Sequence, residues 1–198
     1  MNYNNMMYGN RKKTGYPSKL IWYLVSKYGL AASNKVLDMG CGDGTFAKAF
    51  ASIGFPVVRV DKELFLQDGI DQCDFEKDEL PYKRNKYDVV FCKSVIEHLR
   101  EPWNMLSECL RVLNVGGVAI LLAPDWNSQW RTFYDDPTHV HPYTVKGIEN
   151  TLKFAGFRDV ASEKFYQLPM LWKRPWMRPF LMFNRWARES MVLAIGKK

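Results

Sequence analysis

VLDMGCGDGTFA, residues 36–47, is the stretch that decides the fold of this 198-residue chain. A short apolar run ends in Asp38, glycines follow at positions 40, 42 and 44, and the next residues, TFAKAFASIG, repeat their apolar members at helical spacing. That is strand, glycine turn, helix. The pattern recurs along the chain: VVRVD (57–61) reads as a strand, YDVVFC (87–92) as a buried strand, PWNMLSECLRVL (102–113) as a helix, and VGGVAILLAP (115–124) as a strand behind a Gly-Gly turn. Farther on, TVKGIENTLKFAG (144–156) reads as a helix ended by Gly156, FRDVASEKFYQL (157–168) as a strand, and SMVLAIGKK (190–198) as a final strand. Strands alternating with helices at this pace predict a parallel sheet covered on both faces, and such sheets bind ligands at the carboxyl ends of their strands.

Composition narrows the class. With 47% hydrophobic, 25% charged and 15% aromatic residues, the chain is neither disordered, collagen-like nor a coiled coil, and its length suits one domain. The apolar run LIWYLV (20–25) is too short to span a bilayer, so it is read as one face of a soluble helix. Cys41, Cys73, Cys92 and Cys109 form no CxxC pair, which argues against a disulfide framework or a zinc site and predicts a reducing, cytoplasmic setting. Formal charge is +7 but uneven: residues 169–198 carry +6, residues 1–20 carry +4, and the body is left at −3. Any anionic partner is therefore expected at the termini rather than on the body. The Asn/Met/Tyr-rich start (1–10) is expected to be mobile.

The glycines follow GxGxG where a dinucleotide fingerprint has GxGxxG. Asp38, at the end of the first strand, is poorly placed beside a pyrophosphate but suits an ammonium group. Asp61, at the end of the next strand, can accept hydrogen bonds from both ribose hydroxyls. One acid for an amine and one for a ribose describe S-adenosylmethionine better than NAD.

From Val36 to Pro124 the chain resembles the class I S-adenosylmethionine-dependent methyltransferases, through VLDMGCGDG, VVRVD, CDFEKDELPY, YDVVFCKSVIEHLREP and LRVLNVGGVAILLAP in that order. Within them it is similar to the subgroup with an EHL segment after strand four, associated with bacterial surface glycans. The resemblance implies an α/β, Rossmann-like fold: a mostly parallel seven-stranded sheet, helices on both faces, the last strand antiparallel. It also implies that Asp38, Gly40, Cys41 and Gly42 surround the methionine part of the cofactor and that Asp61 takes the ribose. Asp74 and Phe75 would meet the adenine, and Lys93 and Ser94 would line the methyl end. Only about nine residues separate Asp61 from the next strand, so the usual helix there is expected to be truncated.

A hydroxyl acceptor needs its proton removed, by His or a carboxylate within hydrogen-bond reach. The candidates are His139 first, then His98 and His141, or no base at all for a nitrogen, sulfur or carbon acceptor. A structural reading stands beside each: His98 packed at a helix start, His139 and His141 bonded to Asp135 or Asp136. Glu97 is expected to cap the helix start rather than orient His98. A metal set from Asp135, Asp136, His139 and His141 matches no ligand spacing, and no metal is expected. Trp126, Trp130 and Tyr134 are candidate walls of an acceptor pocket, and Tyr16 and Trp22 candidate lid residues whose default is core packing.

The parts expected are an N-terminal helix or lid (1–30), a core (31–168), a basic aromatic insertion (169–189) and a final strand (190–198) of a single domain. The insertion, WKRPWMRPFLMFNRWAR, either packs on the sheet edge, lies at a membrane interface beside a lipid-linked acceptor, or binds nucleic acid, which is the least favoured reading. The function expected is O-methylation of a small-molecule, sugar or lipid-linked glycan hydroxyl, with S-adenosylhomocysteine as product, in the cytoplasm or peripheral to the membrane. The alternatives are a non-catalytic or partner-dependent cofactor-binding subunit and an RNA methyltransferase.

Overall fold

The structure, a computed structural model, describes residues 14–64, 69–177, 179 and 189–198. Its strands are β1 (Val36–Met39), β2 (Val57–Asp61), β3 (Ile70–Gln72), β4 (Tyr87–Lys93), β5 (Leu113–Pro124), β6 (Arg158–Tyr166) and β7 (Ser190–Lys197). They form one sheet in the order β3-β2-β1-β4-β5-β7-β6, in which β7 runs antiparallel to both its neighbours and every other pairing is parallel. The sheet order reverses between β1 and β4, which opens a crevice at their carboxyl ends. The expected α/β fold with an antiparallel last strand is the fold observed.

The helices are α1 (Tyr16–Tyr28), α2 (Thr45–Ala51), α3 (Trp103–Val112), α4 (Trp126–Gln129), α5 (Val145–Phe154) and α6 (Pro169–Lys173). Central strands buried on both faces send successive residues to opposite cores. Val36, Val89, Phe91 and Leu122 join Leu20, Ile21 and Leu24 of α1 and Ala49 and Phe50 of α2. Leu37, Val90 and Cys92 join Met105, Leu106 and Cys109 of α3 and Ile148 and Leu152 of α5. Each such side chain contributes about 1.5–3 kcal/mol on burial. The two cores hold the sheet between them and leave the carboxyl ends of its strands at one rim.

Differences from the sequence reading are local. β5 begins at Leu113, two residues before the expected start, because Leu113 is fully buried and pairs with Tyr87. No helix occurs between Asp61 and Ile70 among the described residues, and residues 65–68 lie outside them. Of the N-terminal lid candidates, Tyr16 meets the Trp172 ring at 6.0 Å, as core packing predicts, whereas Trp22 is 63% exposed. Residues 1–13 at the start of the chain and residues 178 and 180–188 of the basic insertion, including Arg178, Arg185, Trp186 and Arg188, lie outside the described residues. Among the described residues no helix is long and apolar enough to cross a membrane.

Two polar clusters absent from the sequence reading anchor the loops. Glu108 accepts from the Leu80 amide at 2.6 Å, and Arg111 donates to the Leu80 and Tyr82 carbonyls and to Glu108, tying the segment after β3 to α3. Buried Asp125, at the end of β5, accepts from Asn127 to cap α4, from the Ser190 hydroxyl at 2.9 Å and from Lys164 at 3.0 Å. These bonds pin the loop after β5 to β6 and β7.

Candidate active site

β1 delivers Asp38 to the crevice with 2% exposure and an Oδ2 that has no hydrogen-bond partner among the described residues. Burial, reinforced by the charge of Asp61, pushes its carboxyl up to about 7 against the Ala47 amide and Arg59, which favour the ionised form. An orphaned buried carboxylate is costly, and a cationic donor would relieve it. The glycines just beyond form a cradle: Gly40, Gly42 and Gly44 all have positive φ, and a Cβ on Gly40 would lie 2.1 Å from Cγ2 of Val95. The Val95 side chain packs against the Gly40 backbone, and the turn, left-handed at all three glycines, leads into α2. Cys41 is 5% exposed and its thiol is pushed by burial up to about 12, so it is a packing residue in the cradle and not a nucleophile.

Asp61 closes the cradle from β2. Its Oδ2 accepts from the Gly42 amide at 2.8 Å and its Oδ1 from Glu63 at 3.0 Å, while burial raises its carboxyl above the ordinary value. Across the crevice, β4 ends in Lys93 and Ser94. Ser94 holds φ 57°, a left-handed conformation that costs a non-glycine residue about 1–2 kcal/mol, and its amide donates to the Leu122 carbonyl. The Lys93 ammonium lies 3.3 Å from the Ser94 hydroxyl and 5.6 Å from the centre of the Phe46 ring. Asp38, Gly40, Cys41, Gly42, Asp61, Lys93 and Ser94 thus stand at or just beyond the carboxyl ends of β1, β2 and β4.

Asp74 and Phe75, the residues expected at the adenine, are less open. Asp74 is ion-paired to Lys62 at 3.0 Å, and this ammonium, working against desolvation, holds its carboxyl below the ordinary value. Phe75 is 5% exposed and belongs to the core beside Val60 and Leu80.

Beyond Ser94 the chain makes a 3-10 turn, Ile96–His98, and the loop after β5 folds onto it: the Val140 and His141 amides both donate to the Glu97 carbonyl, at 2.9 and 3.0 Å. This brings His98 and His139 together with ring centroids 4.7 Å apart. His98 Nδ1 lies 2.8 Å from the Thr138 hydroxyl, which itself bonds Asp136 at 2.6 Å. His139 Nδ1 lies 2.6 Å from the Phe133 carbonyl, and its Nε2 lies 3.8 Å from Asp136. Burial and the neighbouring His139 lower the His98 imidazole below its ordinary value. His141 is apart from the pair, stacked on Tyr143 at 4.7 Å.

Glu97 corrects the sequence reading: among the described residues its side chain makes no capping hydrogen bond to the Ile96–His98 turn. The carboxylate is 1% exposed, neither oxygen has a well-formed hydrogen bond among the described residues, and burial pushes it up to about 8. One ligand atom each from Glu97, His98 and His139 lies within 4.8 Å of the others, so the metal-competent trio differs from the set with Asp135 and His141 weighed on residue type. Trp126 packs edge-on against Phe133 at 5.6 Å, while Trp130 and Tyr134 are 51% and 58% exposed beside it. A wide surface depression lined by Lys35, Arg84, Lys86 and Asn114 lies at the opposite, amino end of the strands and holds none of these groups.

A family model described as a methyltransferase domain matches residues 11–162. The ubiquinone biosynthesis O-methyltransferase of Escherichia coli is 27% identical over 146 residues, covering 67% of this chain. The chain spans about 60% of the length of that relative. Among solved structures, a SAM-dependent methyltransferase from Archaeoglobus fulgidus aligns over 100% of both chains with TM-score 0.69 and 21% identity. Phosphoethanolamine N-methyltransferase 2 of Haemonchus contortus, solved with phosphomonomethylethanolamine and S-adenosylhomocysteine, aligns over 98% of this chain and 56% of its own with TM-score 0.67 and 18% identity. The glycine cradle, the two strand-end acids and the matched family together place this chain among the class I S-adenosylmethionine-dependent methyltransferases.

Proposed function

We propose that this domain transfers a methyl group from S-adenosylmethionine to a hydroxyl oxygen of a small acceptor, a class that includes sugars and lipid-linked glycans. The observation that carries the reading is the buried Asp38 carboxylate, whose Oδ2 has no hydrogen-bond partner among the described residues, beside the positive-φ turn of Gly40, Gly42 and Gly44 at the end of β1. The cofactor, when bound, supplies a methyl group on a sulfonium whose leaving group is a neutral thioether. Asp38 receives the ammonium, Asp61 the ribose hydroxyls, and the cradle backbone the chain between them. Asp74 and Phe75 border the adenine, where Asp74 must exchange part of its Lys62 pairing for the exocyclic amine. Lys93 and Ser94 shape the methyl end.

Transfer of this kind needs the acceptor oxygen aligned with the methyl carbon and relieved of its proton. His139 is suited to take that proton, because the Phe133 carbonyl can only accept, so Nδ1 carries the hydrogen and Nε2 carries the lone pair. Asp136 Oδ2 lies 3.8 Å from Nε2. His98 stands beside it as the second candidate, and His141, tied to Tyr143, as the third. The printed name of the curated relatives supports oxygen as the accepting atom.

Calorimetry with S-adenosylmethionine and S-adenosylhomocysteine tests the cofactor half. Micromolar binding is expected for the wild type, weakened about 30- to 150-fold in Asp61→Ala, a loss of about 2–3 kcal/mol for hydrogen bonds to a charged group. His139→Ala should keep this binding and lose methyl transfer to hydroxyl acceptors. A wild type that binds neither compound overturns the reading.

A further inference from the structure

The hydrogen bonds around the histidine pair fix which ring nitrogens carry hydrogen. The Thr138 hydroxyl has one hydrogen, and a carboxylate can only accept it, so at 2.6 Å it goes to Asp136. Thr138 Oγ1 must then accept from His98, which puts the hydrogen of His98 on Nδ1 and its lone pair on Nε2. The Phe133 carbonyl imposes the same tautomer on His139. Both imidazoles are therefore oriented by their Nδ1–H groups, the arrangement that metal-ligating histidines adopt. Beside them sits the Glu97 carboxylate, nine-tenths buried and more, with both oxygens lacking a well-formed hydrogen bond among the described residues. One ligand atom each from Glu97, His98 and His139 lies within 4.8 Å of the others. A cation among them would satisfy the two buried Glu97 oxygens, which lack a well-formed hydrogen bond among the described residues.

We propose that Glu97, His98 and His139 hold one divalent transition-metal ion of the zinc or cobalt class at the acceptor end of the crevice. This rests on the O-methyl transfer reading and, with the ion bound, replaces His139 as the group that takes the acceptor's proton. Two nitrogens and one carboxylate suit these ions better than magnesium or calcium, which favour all-oxygen shells. Three protein ligands leave a coordination position open, and an acceptor hydroxyl fills it. Its O–H bond then breaks with the pair left on oxygen and the proton passing to solvent water, so the histidines act through the ion rather than as free bases. Ligands at about 2.1 Å from a tetrahedral ion stand about 3.4 Å apart, so the trio closes by up to about 1.4 Å on loading. The loop from Asp125 to Tyr143 carries His139 and has the exposed residues Pro137 and Thr138 next to it, so the movement falls on a surface segment. Asp136, near His139 Nε2, is placed to accept from water on the ion.

The test is titration of chelator-treated protein with Co2+, followed by visible d–d absorption and calorimetry, on wild type, Glu97→Gln, His139→Asn and His141→Asn. The expected result is one Co2+ per chain, with affinity at least about tenfold weaker in Glu97→Gln and His139→Asn and unchanged in His141→Asn. Circular dichroism verifies that each variant is folded. Because His139 is partly exposed, its variant keeps the test decisive even where the buried Glu97→Gln fails to fold. A wild type without d–d bands, or binding that neither variant weakens, overturns the proposal. S-adenosylmethionine calorimetry on the same metal-free samples separates the two readings. Cofactor binding without a Co2+ site removes only the metal, whereas a Co2+ site without cofactor binding keeps the metal and removes the methyl-transfer reading.

Discussion

Asp38 is the residue on which the cofactor reading turns, and its environment makes a pH prediction. Asp61 and Asp43 raise its carboxyl further above the level set by burial, while Arg59 and the Ala47 amide oppose them. A folded value of about 7 against an ordinary 3.8 means that the native state holds a proton the unfolded chain releases. Its contribution to stability is thus complete below about pH 4 and is lost as pH rises through 7. Denaturant unfolding from pH 4 to 8 should show a decline that Asp38→Asn reduces. Cofactor affinity runs the other way at first, rising as Asp38 ionises and falling once an α-amino group, near 7.7–8.0, loses its charge. A flat affinity profile from pH 6 to 9 would remove Asp38 from the ammonium site. Asp38 and Asp61 were legible in the sequence because a residue at the end of a strand is placed by the strand itself. Glu97 was not, because its burial depends on the loop after β5, more than 25 residues away, folding over the turn that carries it.

At the level of elements, α3 acts as a clamp. Glu108 and Arg111, one helical turn apart, grip the backbone of Leu80 and Tyr82 and so hold the segment that follows Asp74 and Phe75. Arg111→Ala removes a donor from the Leu80 and Tyr82 carbonyls and from the mostly buried Glu108 carboxylate. The expected cost is about 2 kcal/mol in urea unfolding, accompanied by weaker cofactor binding, since the adenine border is the segment released. Unchanged affinity in a destabilised variant would detach that segment from the site. Periodicity revealed the helix but not this clamp, because amphipathic spacing reports which face is buried and says nothing about which backbone lies opposite.

For the whole molecule, the crevice lies where β1 and β4 part, at the rim of the sheet that separates the two cores. A ligand there bridges loops from β1, β2 and β4 and stabilises all of them against unfolding. At 100-fold excess over its dissociation constant, S-adenosylmethionine should add about 2.7 kcal/mol, a rise of roughly 5–11 °C in Tm for a domain of this size. Differential scanning fluorimetry checks it, and no rise at saturating cofactor would place the binding-competent state elsewhere.

The alternation of β and α periods, the GxGxG turn and the strand-end acids determined the sheet, its covering helices and the cofactor crevice, because each follows from local spacing along the chain. The β1 end, the cradle and Asp61 lie within 26 residues of one another, and short connections leave few ways to arrange them. The company kept by Glu97, His98 and His139 was decided only by tertiary structure. Their meeting requires the loop after β5 to be pinned by Asp125 to Ser190 and Lys164, and by its amides to the Glu97 carbonyl. Hydrogen bonds between segments far apart in sequence carry no periodic signal, so a trio they assemble emerges only when the chain has folded.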